Sequence, residues 1–385
     1  MNEIQRIQKT FLDGCVKRFK ETYSFLRGKR VYIYGSGMYG TFLAQALVDY
    51  GCVDNGSIQA FINDFQNGFE VDGIPVVALD ECEFAIGSSP DYCVVVGIEN
   101  NRAVIDRLKE RNIVFFADSK AGLASMSIPL MNAFYAKQTW MTIGNVLQRI
   151  ERFHELNLPE GEMFRFYEDN DSLDVLNNRI ELYKTGKHEL LETCPITQAE
   201  YFAEELLDIG TNEVYADVGA YTGDTVLAFA EYTKRKYKKI LAFEPDAETF
   251  RSLERNTVGL HDVELFEMAT GSKNGEVRFA DGFGVGSFVS EELGTKRVKV
   301  VRLDDIIKTP LSLVKMDIEG AELDTLHGME RLLMEYRPKL AVCVYHKVED
   351  LYEIPKYLKE IVPEYRLKLR QHEASIYETV LYAEV

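Results

Sequence analysis

Positive charge is scarce in this chain. Its 385 residues carry 44 Lys and Arg against 62 Asp and Glu, a formal charge of −18. Nucleic-acid binders and proteins that sit on anionic membranes need Lys/Arg stripes to displace counterions, so neither class is expected. Long apolar runs are lacking too. The longest, such as Val94-Val95-Val96 and Leu340-Ala341-Val342-Cys343-Val344, are far too short to cross a bilayer. The first ten residues are polar and have no apolar stretch of the kind a signal peptide carries. Cysteines occur at 15, 52, 82, 93, 194 and 343, none in a CxxC pair and none in a Cys/His cluster with zinc-finger spacing. The expectation is reduced, mostly buried thiols in a cytoplasmic protein. No internal repeat or low-complexity tract is present.

What is present is an ordinary globular composition, 46% hydrophobic, in a chain long enough for two or three domains with a sizeable core. Residues 3–27 repeat apolar side chains at helical spacing, with Gly28 as a stop. Strands are expected at Arg30–Tyr34, Ile58–Ile62, Gly73–Val76, Tyr92–Val96 and Ile113–Phe116, with helical patterns after Gly40 and over Arg102–Arg111. That alternation predicts a parallel sheet over residues 29–120. Residues 121–212 read as a helical connector, with helices at Asn145–Leu156, Asp171–Lys184 (capped by Asp171 or Ser172) and Thr197–Leu207. From 213 the alternation resumes, with strands at Glu213–Val218, Lys239–Glu244, Val263–Phe266, Leu313–Asp317 and Leu340–Tyr345. A β-rich insertion, Glu276–Leu303, has Gly282, Gly284 and Gly286 at its turns, and a terminal pair covers Tyr365–Leu369 and Thr379–Val385. The fold class expected is α/β: two Rossmann-like three-layer domains joined by the connector, the second with the sheet layout of a class I methyltransferase.

Two glycine loops differ in chemistry. Gly35-Ser36-Gly37-Met38-Tyr39-Gly40 fits GxGxxG between a strand and a helix, where glycines allow a tight turn and the helix N-terminus favours an anion. Asp64 could meet a ribose there, making Gly35, Gly37, Gly40 and Asp64 a candidate second nucleotide site. The alternative is a docking module without nucleotide. The second loop, Asp217-Val218-Gly219-Ala220-Tyr221-Thr222-Gly223-Asp224, opens on an acid. A pyrophosphate would be repelled by Asp217, whereas the ammonium and sulfonium of S-adenosylmethionine would be attracted. Glu244, ending the next strand before Pro245 and Asp246, suits ribose hydroxyls. Asp217 as a plain loop cap is the structural alternative.

Lys315-Met316-Asp317-Ile318-Glu319-Gly320-Ala321-Glu322 ends one strand and Tyr345-His346-Lys347 the adjacent one. Ligand crevices of open α/β sheets lie at such ends, so Asp317, Glu319 and His346 are expected on one rim. With DVGAYTGDT at 217–225, FEPD at 243–246, KMDIEGAE at 315–322, YHKVEDLYEIP at 345–355 and ETVLY at 378–382, the C-terminal half resembles the FkbM family of S-adenosylmethionine-dependent methyltransferases. YFAEELL in the connector looks similar too. Glu267 stands where the resemblance leads one to expect Asn. The N-terminal stretch Phe61-Ile62-Asn63-Asp64 with Gly73-Ile74-Pro75-Val76 more weakly resembles Rossmann-like domains attached to sugar-modifying enzymes.

The resemblance implies methyl transfer from S-adenosyl-L-methionine, usually to an oxygen of a sugar, polyketide or related small hydroxylated acceptor. The cofactor-binding residues expected are Asp217, Gly219, Ala220, Tyr221, Gly223, Asp224, Glu244, Pro245, Asp246, Met268, Ala269 and Asp317. The catalytic ones are His346 as first candidate for the base, Asp317 as second candidate or as its orienter, and Glu319 on acceptor hydroxyls. His346 as an ordinary strand-end hydrogen-bonding residue is the bland alternative. No metal is assigned, although the same trio could hold a divalent cation. Glu322 and Asp324 can be read as a solvated first helical turn. The expected partner is a small-molecule acceptor, with no nucleic acid and no membrane, and a homo-oligomer allowed. Two other functions compete: an NAD(P)-dependent oxidoreductase and a non-catalytic nucleotide-sugar-binding protein, both using the 35–40 loop.

Overall fold

The structure is a computed structural model and describes residues 1–87, 91–97, 102–113, 115–116, 146–198, 200–280, 288–289, 296–373 and 375–385. The expected connector residues 121–145 and the insertion glycines Gly282, Gly284 and Gly286 lie outside the described residues. The chain divides into two compact units, residues 1–145 with 185–189, and residues 146–184 with 190–385.

The first unit holds a six-stranded sheet of β1 (Arg30–Tyr34), β2 (Ile58–Ile62), β3 (Phe69–Val71), β4 (Ile74–Val77), β5 (Tyr92–Val96) and β6 (Phe115–Phe116), in the order β3-β4-β2-β1-β5-β6. All pairs are parallel except β3 with β4. That hairpin turns through Asp72 and Gly73, whose φ of 52° and 76° are the left-handed pair such a two-residue turn requires. The N-terminal helix covers Glu3–Thr22, capped by Asn2, and gives way to a single 3-10 turn at Ser24–Leu26 rather than running on to residue 27.

The second unit carries β7 (Val214–Val218), β8 (Lys239–Phe243), β9 (Val263–Phe266), β10 (Ala269–Thr270), β11 (Gly275–Ala280), β12 (Phe288–Val289), β13 (Lys296–Val301), β14 (Leu313–Met316), β15 (Lys339–Cys343), β16 (Arg366–Gln371) and β17 (Thr379–Glu384). Seven of these form one sheet in the order β16-β17-β15-β14-β7-β8-β9, with β17 antiparallel to both its neighbours and the rest parallel. This is the class I methyltransferase layout: five parallel strands reversing direction of growth between β7 and β14, then an antiparallel pair. Of the five parallel strands, β7, β8, β14 and β15 are buried on both faces, which is why they read as near-continuous apolar runs, while the edge strand β9 is partly exposed. The insertion folds into a separate four-stranded sheet, β10-β13-β11-β12.

Helices at Val146–Leu156 and Asn170–Thr185 match the sequence periodicity, and the first of them belongs wholly to the second unit. The cap of the second is Asp169, not Asp171 or Ser172: its carboxylate accepts the Ser172 amide at 3.0 Å. The expected helix at Thr197–Leu207 does not form. Tyr201 has φ 59°, donates its amide to the Tyr382 hydroxyl at 3.1 Å and packs its ring 5.6 Å from the Lys315 ammonium. These long-range contacts hold the segment in turns and override its helical periodicity. All six cysteines are buried and none forms a disulfide. Among the described residues, no helix is long and apolar enough to cross a membrane.

Candidate active site at the carboxyl ends of β7, β8, β14 and β15

Parallel register aligns the four strand ends. Val218 pairs with Phe243 on one side and Met316 on the other, and Met316 pairs with Val342. Everything the sequence singled out after Val218, Phe243, Met316 and Cys343 therefore emerges along one edge, beside the reversal point of the sheet where α/β ligands bind.

The glycine loop is built by backbone. Gly219 has φ 82°, and a Cβ there would overlap the Asp317 carbonyl oxygen. Only glycine lets the loop lie this close to β14. Gly219 and Ala220 donate their amides to Phe243 O at 3.0 Å, Tyr221 follows at φ 45°, and Gly223 at φ 90° precedes the helix Asp224–Tyr232. Asp224 is exposed in the first turn of that helix, where a carboxylate complements the dipole.

Asp217 is not open to a ligand. It is 0% exposed, accepts from Thr225 Oγ1 at 2.5 Å and lies 3.4 Å from Lys315 Nζ. Lys315 in turn donates to Gly219 O at 2.7 Å, tying β14 to the loop. Burial alone would depress the Lys315 ammonium, but Asp217 and Asp317 outweigh it and hold it protonated. The sequence reading turned Asp217 toward an external ammonium; the cation it faces is the protein's own. Register carries the reason, since Lys315 and Asp217 are direct neighbours on parallel strands. Nothing in the local sequence around Lys315 marks this role, and its place opposite an acid becomes legible only once the strand order is known.

Glu244 is buried at the end of β8, where its two oxygens accept the Tyr221 amide at 3.1 Å and the Asp246 amide at 2.8 Å. Burial pushes its carboxyl up to about 7 against those two amides. Asp246 caps the helix Ala247–Asn256 through the Glu248 and Thr249 amides, and Pro245 beside it is half-buried. Met268 is half-buried between β9 and β10, while Ala269 pairs with Val300 in the second sheet.

On the other side of the reversal point, Asp317, Glu319 and His346 do meet. His346 Nε2 lies 3.4 Å from Asp317 Oδ1 and 3.5 Å from Glu319 Oε2. Tyr345 donates its hydroxyl to Asp317 Oδ1 at 3.3 Å. Glu319 and Gly320 follow the strand with φ of 55° and 96°, a left-handed pair that swings the chain back toward β15. The return delivers Glu322, which is not solvated: it is 0% exposed, accepts the Ile318 amide at 3.0 Å and lies 2.8 Å from His346 Nδ1. Asp324, its neighbour in sequence, accepts the Ser272 amide instead. Burial lowers His346, but Glu322, then Asp317 and Glu319, outweigh it and raise the imidazole to about 9. The neutral imidazole expected of a base is thus not the resting form near pH 7. Burial raises Glu319 to about 7, with His346 opposing. Side-chain exposure separates the roles: 28% for Asp317 and 25% for Glu319, against 4% for His346.

A residue unflagged by sequence completes the rim. Arg149, on the helix Val146–Leu156, is buried and donates to the Tyr345 carbonyl. One arginine in a helical pattern gave no signal of this.

In the first unit, Gly40 packs so close to Gly35 that a Cβ would overlap the Gly35 carbonyl, so the third glycine serves helix-to-strand packing. Gly37 begins the helix Met38–Asp49. The Asp64 carboxylate is occupied. It accepts from the Leu79 amide at 2.9 Å, from Arg107 Nη1 at 2.6 Å and from the Tyr34 hydroxyl. Three of its roughly four lone-pair sites are thus used within the fold, which leaves Asp64 little capacity for the ribose expected there.

Residues 217–370 match the family model of the methyltransferase FkbM domain. A protein of Beauveria bassiana (strain ARSEF 2860) named Methyltransferase 1 is 29% identical, over 28% of this chain and 56% of its own length. The chain thus spans about half the length of that relative. The crystal structure of methyltransferase FkbM from Methylobacillus flagellatus KT superposes with a TM-score of 0.55 at 21% identity, covering 99% of this chain and 100% of that one, a likeness of fold. Residues 217–370 thus match the methyltransferase FkbM domain, and the strand order of the seven-stranded sheet is that of a class I methyltransferase.

Proposed function

We propose that the chain is an S-adenosylmethionine-dependent methyltransferase that methylates a hydroxyl oxygen of a sugar, polyketide or similar small acceptor. The observation that carries this is the shared edge. The glycine loop and Glu244 lie on one side of the reversal point, and Asp317, Glu319 and His346 on the other. The residues fit the cofactor in two respects. The loop at Gly219 has no side chain to keep a ligand off its backbone, and Glu244, oriented by two amides, keeps lone pairs for a ribose diol. Asp217 contributes through Lys315 and the loop, not by contact.

S-adenosylmethionine, when bound, supplies an electrophilic methyl on a sulfonium leaving group. The chain aligns the acceptor and receives its proton. Asp317 and Glu319 are the exposed carboxylates of the rim. Glu319, on its left-handed turn at the outer edge, is the base. His346, nearly inaccessible, orients the two carboxylates. Glu319 would receive the acceptor's O–H proton as the acceptor takes the methyl that the cofactor, when bound, would supply. Glu319→Gln should cut release of S-adenosylhomocysteine in the presence of hydroxylated acceptors by about a hundredfold or more, with cofactor affinity intact. An unchanged rate would remove Glu319 from this role. Absence of both release and binding by the folded chain would overturn the reading.

A further inference from the structure

We propose that Asp317, Glu322 and His346 form a binding site for one divalent first-row metal cation. The sequence offered Asp317, Glu319 and His346 as the trio. The fold replaces Glu319 with Glu322, whose buried carboxylate returns beneath the imidazole through the left-handed turn at Glu319 and Gly320.

One ligand atom from each of the three residues lies within 4.8 Å of the others. Ligands about 2.1–2.3 Å from a shared ion stand roughly 3–4.5 Å apart, so small side-chain rotations close the set. Two carboxylate oxygens and one imidazole nitrogen suit Mn²⁺, Fe²⁺ or Zn²⁺ better than an all-oxygen ion such as Ca²⁺.

Proximity of acids alone would not carry this; unmet valence does. Glu322 has no exposed side-chain surface, and its Oε2 has no hydrogen-bond partner. His346 is 4% exposed, with Nδ1 2.8 Å from Glu322 Oε1 and Nε2 3.4 Å from Asp317 Oδ1 and 3.5 Å from Glu319 Oε2. A buried carboxylate oxygen without a donor costs on the order of 1–3 kcal/mol. Here that oxygen belongs to a cluster in which three carboxylates surround one imidazole, and a metal ion would displace the imidazole proton. Among the described residues, the buried Lys315 is held by Gly219 O and Asp217, and the buried Arg149 donates to Tyr345 O. A cation accepting electron pairs from all three residues satisfies the cluster at once. Asp317 remains 28% exposed, which gives the ion an entry path and leaves coordination positions open, as in catalytic rather than structural sites.

The work done by this ion rests on the reading of the preceding section. Beside Glu319, it would lower the pKa of the acceptor hydroxyl whose proton Glu319 receives, and would itself be unchanged by the reaction.

The test uses the full chain, stripped with chelator and titrated with Mn²⁺ while electron paramagnetic resonance follows the free ion. S-adenosylhomocysteine is titrated separately into the same preparation by calorimetry. The expected result is one Mn²⁺ per chain, weakened at least about tenfold in both Glu322→Gln and Asp317→Asn. The two isosteric variants differ in burial, so one remains informative if the other misfolds. A wild-type chain that binds S-adenosylhomocysteine but takes up neither Mn²⁺ nor Zn²⁺ overturns the metal site and leaves the methyl-transfer reading standing. Uptake of Mn²⁺ without S-adenosylhomocysteine upholds the metal site and sinks that reading. Mn²⁺ affinity unchanged in both variants overturns this location.

Discussion

At the scale of single residues, Glu244 shows how burial couples a ligand group to stability. Its unfolded carboxyl titrates near 4.5 and its folded one near 7. Between those values the folded chain holds more protons than the unfolded one, so stability falls as pH rises through the window and levels off above it. Glu244→Gln removes that titration. Relative to wild type, the variant should gain on the order of 3 kcal/mol between pH 4.5 and pH 8, read from urea unfolding at both. A constant penalty from replacing the acceptor of two amides cancels in the difference. Parallel pH profiles for the two proteins would mean that Glu244 is not held neutral by burial. The same logic explains why this residue was legible in the sequence while Asp217 was misread. A strand-end acid before Pro245 points out of the sheet, whereas an acid inside a strand, as Asp217 is, points toward whatever its neighbour strand supplies.

At the scale of elements, the pairing of β7 with β14 decides the electrostatics. Lys315 and Asp217 are wholly buried neighbours, and neither has a reason to be there without the other. Lys315→Met strands an uncompensated buried carboxylate and should cost about 3–5 kcal/mol of unfolding free energy. The double variant with Asp217→Asn should recover most of that loss. A double variant as unstable as the sum of its singles would show that the two charges do not interact. Strand periodicity exposed both residues to view but not their partnership, because strand order is a long-range property. The segment 197–207 failed for a related reason. Its helical spacing is real, yet Tyr201 is held by Tyr382 and Lys315, which come from distant parts of the chain.

At the scale of the whole molecule, the seven strands of the main sheet were legible to within a residue or two, from β7 at Val214–Val218 to β17 at Thr379–Glu384, while β11, β12 and β13 were legible only as a β-rich insertion. Buried parallel strands bounded by Gly, Pro and acids leave little choice of period or length. The rim was legible as Asp317, Glu319 and His346, but not Glu322 or Arg149. Glu322 is buried by a left-handed turn that no local pattern announces, and Arg149 reaches the rim from a helix nearly 200 residues earlier. The helix Val146–Leu156 and all seven strands of the main sheet belong to one unit. A chain of residues 146–385 should therefore unfold cooperatively and still bind S-adenosylhomocysteine; a non-cooperative melt would show that the unit does not stand alone.

The account turns on the strand-end edge formed by the 219–223 loop and Glu244. Calorimetric titration of the full chain with S-adenosylhomocysteine tests it most directly. Saturable binding of one ligand per chain, weakened at least about tenfold by Glu244→Ala, is the predicted result. No heat of binding at millimolar ligand from a chain that melts cooperatively would contradict it.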